Sequence, residues 1–278
     1  MARRPVFSEQ RSALAAWSGR LGVFSLVVAL LSAVIVRTGL LEVGPALATF
    51  AAALVCAGLA MLLALLSAVP IWRHGRTGIG RAALGFFLGG ALLAYPGYLA
   101  WRSLGLPAIN DVTTNPSDPP RFSVLARLRP RGTSDYPGET AATLQRAAYP
   151  DIEPLRVQAP PQLAYTTALA VVGKRKWRVV DTLAPSPTRR NGTIEAIAQT
   201  TIMGFRDDVV VRIGPLGRGS QIDVRSASRY GKHDLGTNAA RIVALLDELE
   251  EAIDSASAAP AGPARPQPQR TPQQQPRR

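Results

Sequence analysis

The sequence predicts an α+β membrane protein: three N-terminal transmembrane helices, then a two-layer domain with a four-stranded antiparallel meander and flanking helices. Three observations lead there. Residues 19–101 contain three apolar stretches of spanning length, residues 176–228 contain four short strand-like runs, and residues 237–253 carry an apolar stripe at helical spacing. The expected organisation is a cytoplasmic basic N-terminus at 1–18, a transmembrane region at 19–101 and a polar Pro-rich linker at 102–120. An exported domain at 121–254 and a disordered Pro/Gln-rich tail at 255–278 complete it.

Crossing a ~30 Å hydrocarbon layer takes ~20 mostly apolar residues. Residues 43–72 and 82–101 carry no charged side chain, and Pro96 and Gly97 predict that the third span kinks or ends early. The first span lies between Arg20 and Arg37, whose side chains can snorkel outward. Trp17, Trp72 and Trp101 sit at span edges, where amphipathic rings favour the interface. No small-x-small cleavage site clearly follows the first apolar run and two more spans come after it, which reads as an uncleaved signal-anchor. Gly85 and Gly89 form a G-x-x-x-G suited to close helix packing, within the chain or with a partner.

Orientation follows from the arginines. Arg3, Arg4, Arg11 and Arg20 precede the first span, Arg37 alone follows it, Arg73, Arg76 and Arg81 fill the second loop, and Arg102 follows the third span. Basic flanks stay inside. The expectation is a multi-pass protein of the bacterial inner (plasma) membrane, with a cytoplasmic N-terminus and a periplasmic C-terminal domain.

The net charge of +13 does not point to nucleic acid. Residues 1–102 contain nine arginines against Glu9 and Glu42, and residues 255–278 contain four arginines and no acid. The intervening domain is nearly neutral and lacks the basic footprint that phosphate backbones require. The single cysteine, Cys56, lies in the second span, so the domain has no disulfide, thiol nucleophile or cysteine metal site.

In the domain, helices are expected at 138–148 and from Pro160-Pro161 to about 173, and strands at 176–183, 193–201, 207–213 and 220–228. Short connections make the strands antiparallel neighbours. Val209, Val211, Ile213, Ile222 and Val224 face the core, and Ile242, Leu245, Leu246, Leu249 and Ile253 line the last helix, capped by Thr237 or Asp234. A turn at Pro215–Arg218 pairs Val209 with Val224 and Val211 with Ile222. On the other face it sets Asp208 opposite Arg225, with Arg212 diagonal to Asp223, as a solvated surface of salt pairs or a functional one.

The polar loop running into the last helix is the candidate ligand site. Helix N-termini attract anions, and Arg225, Arg229, Lys232, His233 and Asp234 cluster there in sequence, suited to a small anionic ligand. No catalytic constellation, two-histidine metal spacing, phosphate loop or cofactor motif occurs. Two alternatives stay open: a hydrolase-like enzyme centred on His233 and Asp234 with Ser226 or Ser228 as nucleophile, and an accessory subunit of a membrane complex using the Gly85/Gly89 face. The expected partners are the lipid bilayer and either a membrane protein or an anionic small ligand, with oligomeric state unreadable.

Several motifs, in order, resemble one bacterial family. Ile109-Asn110-Asp111-Val112-Thr113-Thr114 follows a membrane segment, then come Ala148-Tyr149-Pro150-Asp151-Ile152, Gly204-Phe205-Arg206-Asp207-Asp208 and Ile222-Asp223-Val224-Arg225-Ser226. The run closes with Asp234-Leu235-Gly236-Thr237-Asn238. Over about 107–253 the chain resembles the domain of unknown function numbered 1499. The resemblance implies an often membrane-tethered envelope domain, and it transfers no catalytic role to any residue.

Overall fold

The computed structural model describes residues 10–40, 42–129 and 132–258. The leader arginines Arg3 and Arg4, and residues 259–278 of the expected disordered tail, lie outside the described residues.

Three long helices open the chain: α1 (Ala13–Thr38), α2 (Val43–His74) and α3 (Ile79–Ser103). Each is long and apolar enough to cross a membrane. Ser12 caps α1 by accepting the Ala15 N–H, and Gly39 ends it in the left-handed conformation. α3 runs through Pro96 to Ser103 rather than ending early. In hydrocarbon a helix that stopped there would expose more backbone groups than the single carbonyl the proline leaves unpaired.

The helices meet through small residues. The buried positions of α1 include Ala15, Ser18, Gly19, Gly22, Ser25 and Ala29, and those of α2 are Ala46, Ala53, Ala57, Ala60, Ala64 and Ser67. A methyl group on Gly85 would lie 2.5 Å from the Ser18 backbone, and one on Gly89 would lie 2.7 Å from the Ala57 carbonyl oxygen. The G-x-x-x-G face is therefore consumed inside the bundle. This is the first of the two uses expected of it, close packing within the chain.

The domain is built on a six-stranded antiparallel sheet, two strands more than the meander expected. β3 (Arg178–Leu183), β4 (Gly192–Gln199), β5 (Arg206–Leu216) and β6 (Gly219–Ser228) form that meander. The free edge of β6 is then covered by two three-residue strands, β1 (Asp111–Thr113) and β2 (Leu155–Val157). Part of the stretch expected as a linker is thus a strand. At the opposite edge, β3 pairs with β4 through a register shift between Val179 and Asp181. α4 (Glu139–Ala148), α5 (Pro161–Lys174) and α6 (Thr237–Ala258) complete the element order, and α6 takes in the first residues of the expected tail.

The main core lies between the sheet and the helices. Ile194, Val211, Ile213, Ile222 and Val224 meet Ile242, Leu245, Leu249 and Ile253 there, all buried. Burying each such side chain contributes about 1.5–3 kcal/mol. The core-facing residues are those expected, but the register differs by two. Val209 lies opposite Ser226, Val211 opposite Val224, and Arg212 directly opposite Asp223. The turn is the two-residue Gly217-Arg218, with Gly217 supplying a φ of +58° that suits a tight hairpin.

The other sheet face is not solvated. Phe122 and Leu125, the latter in a short 3-10 turn at Leu125–Leu128, pack over Ile197, Val210 and Ala227. The Glu195 carboxylate holds this cover by accepting the N–H groups of Ser123 (2.5 Å) and Leu125 (2.7 Å). Asp208, Asp223 and Arg225 are buried beneath it. Arg225 lies opposite Val210, not Asp208, and forms a two-pronged pair with Asp111 at 3.0 and 2.7 Å while its guanidinium stacks on Phe122 at 4.5 Å. Salt pairs are present as expected. They are buried because a Pro-rich segment without periodicity folds over them.

Candidate functional site at the junction of domain and membrane helices

Asp234 organises the loop before α6. Its carboxylate accepts the N–H groups of Gly236 (2.9 Å) and Asn238 (2.8 Å) across the left-handed residues Leu235 and Gly236. The donors that make a helix N-terminus attractive to anions are thus occupied from within the chain. Burial raises the Asp234 pKa, and the N–H donors from Asn238 and Gly236 pull it back.

The five residues expected to form an anion site do not converge. Arg225 and Arg229 project to the face away from α6, where Arg225 holds Asp111 and Arg229 holds Asp208 at 2.7 Å. Buried Arg225 has its guanidinium committed to Asp111 and the Pro120 and Ser134 carbonyls, which removes it from ligand binding. Lys232 is exposed on the loop. His233 accepts the Leu235 N–H at Nδ1 (3.0 Å), leaving Nε2 as its available nitrogen. Ser226 donates to Asn238 Oδ1 at 2.7 Å, and Ser228 accepts from Asn238 Nδ2 at 3.0 Å. Neither serine is hydrogen-bonded to His233, so the hydrolase alternative lacks a paired base and nucleophile among the described residues.

His233 and Asp234 instead border a cavity of about 530 Å³ where the domain sits on the helices. One wall comes from the domain-side ends of α2 and α3: Leu47, Tyr95, Leu99 and Arg102. The other comes from the β4–β5 loop, with Ile202, Met203 and Phe205, and from Arg206, Asp207 and Arg241. The loop is fixed to α1 by Arg37, whose Nη1 donates to the Thr201 carbonyl at 2.7 Å, and by Gly204, which packs against Arg37. A side chain at Gly204 would crowd that arginine, at 3.0 Å, in a backbone already strained for any L residue at φ +69°.

The charges divide clearly. Arg241 is neutralised by Asp207 at 2.5 Å and also donates to Ser226. Arg102 and Arg206, both exposed, make no side-chain hydrogen bond or ion pair with any described residue. Arg206 also lines a neighbouring cavity with Glu42 without pairing to it. Beyond Arg102 lies a third hollow, bordered by Tyr149, whose buried hydroxyl has no hydrogen-bond partner among the described residues. Burial raises the Tyr149 pKa, the charge of Asp234 adds to that, and Arg102 opposes it. Sequence reasoning missed Arg102, Arg206 and the apolar wall because they come from separate segments. The one available signal was Arg102 standing unpaired directly after an apolar span.

No curated protein matches this chain. Among solved structures, it is similar to CalU16 from Micromonospora echinospora at 14% identity over 38% of this chain and 83% of that one, with a TM-score of 0.23, a likeness too slight to carry an argument. The family model described as "Protein of unknown function (DUF1499)" matches residues 111–249, from β1 into α6. With half its length inside that match and three apolar helices before it, the chain belongs to the DUF1499 family.

Proposed function

We propose that this protein is a non-enzymatic binding module of the bacterial inner membrane, with its N-terminus in the cytoplasm and its domain in the periplasm. The observation that carries this reading is the shared cavity: its walls come partly from α2 and α3 and partly from the domain, so a ligand there touches both. Arg11, Arg20, Arg73, Arg76 and Arg81 lie at the bundle end away from the domain, joined by the backbone pairing of Ser12 with Thr77. Among the described residues of the helices, Arg37 and Arg102 alone flank the domain end. Basic flanks are retained in the cytoplasm, which supports export of the other end.

Reporter fusions after Ala258 test the orientation. Active alkaline phosphatase with a dark fluorescent partner is expected, and the reverse pattern overturns it. Full-length protein in detergent should not turn over ester, phosphate or peptide substrates. Turnover abolished by His233→Ala would replace the binding reading with an enzymatic one.

A further inference from the structure

The cavity's two ends differ in chemistry. Tyr95 lies eight residues before Ser103, which ends α3. At 1.5 Å per residue the apolar wall therefore descends about 12 Å along the helix from the domain. Leu47 and Leu99 share this wall, and Ile202, half-exposed, faces it from the domain. Arg102, at the end of α3, and Arg206, on the domain, line the other end, with their Nη2 atoms beside Gly236 and Gly39 respectively, while the acids there are engaged: Asp207 with Arg241 and Asp234 with backbone N–H groups. An occupant must thus be apolar toward the bilayer and anionic toward the domain.

We propose that the cavity holds one membrane lipid with an anionic phosphate headgroup, its chains against Leu47, Tyr95 and Leu99 and its phosphate against Arg102 and Arg206. This rests on the binding role above and names the ligand class. The cavity size falls within the ~300–1,000 Å³ usual for ligand sites. It is smaller than a two-chain lipid, so the chain ends remain in the bilayer. Arginine forks suit phosphate oxygens, and a site beside hydrocarbon strengthens such contacts.

The test uses native mass spectrometry of the full-length protein in neutral detergent, titrated with phosphatidylglycerol, phosphatidylcholine or inorganic phosphate. The expected result is one tightly retained phosphatidylglycerol, held at least tenfold better than phosphatidylcholine. The double variant Arg102→Gln/Arg206→Gln should lose this preference, Arg102→Lys/Arg206→Lys should retain most of it, and Arg73→Gln at the far end should leave it unchanged. Equal retention of both lipids, or an unaffected double variant, overturns the proposal. Displacement of the lipid by millimolar inorganic phosphate assigns the site to a free anion and also overturns it. Any of these failures leaves the fusion result, and with it the orientation, standing.

Discussion

The two halves of the molecule are packed inside out relative to each other. In the bundle, alanine, glycine and serine are buried while Leu30, Leu65 and Phe87 are exposed. In the domain, Ile213, Ile222, Leu245 and Leu249 are wholly buried and charged groups cover much of the outside. The same large apolar side chains thus occupy opposite positions. The solvent decides: water drives leucine inward, whereas lipid tails are as apolar as leucine and leave close backbone contact as the gain from association.

This contrast is tested most strongly by truncating one leucine in each half. Leu249→Ala, at a fully buried position, should destabilise the domain by about 2–5 kcal/mol. Leu65→Ala, 61% exposed on the bundle, should change stability by less than about 0.5 kcal/mol. Thermal melts of the full-length protein in detergent measure both, and equal losses would refute the contrast.

Enlarging small residues inverts the experiment. Gly85→Leu drives a side chain into the Ser18 backbone and should cost about 1–3 kcal/mol or separate α3 from α1. Gly90→Leu, whose nearest neighbour is the Met61 methyl at 3.9 Å, should be tolerated. Cross-linking between α1 and α3 reads the difference.

The smallest effect concerns Tyr136, which packs against the main core with its ring beside the Arg225 guanidinium. Burial, with Asp111 adding, pushes the Tyr136 pKa up to about 12. A folded pKa above the unfolded value of ~10 means the neutral phenol is favoured in the fold. Its contribution is complete below pH 10 and is lost as pH rises towards 12. Ultraviolet titration should show late-ionising tyrosine, and Tyr136→Phe should remove the part that titrates near 12 while leaving that of Tyr149. Ionisation of Tyr136 near 10 would mean its surroundings are wet.

Much of this architecture is legible in the sequence because its signals are local. Charge-free runs mark the spans, alternation marks β3 to β6, and the Ile242-to-Ile253 stripe marks α6. Where partners are distant, that legibility ends. β1 and β2 are three residues each, too short for a period to show. The charges of Asp208, Asp223 and Arg225 alternate as on an exposed strand, because the Phe122–Leu125 cover arrives from a stretch without pattern. Register slipped by two since proline was given the turn that glycine makes. Arg102 and Arg206, 104 positions apart in the chain, meet one cavity only through tertiary structure.

The irregular β3 edge bears on life in a crowded plane. Proteins confined to one membrane present their lateral surfaces to each other continually, and an open strand edge invites a neighbour to zip on. Here β1 and β2 shield one flank, while on the other the register shift in the β3–β4 pairing between Val179 and Asp181, with Arg178 beside it, leaves β3 an irregular edge strand. Such an edge offers a neighbour a poorer template than a flat, regular strand.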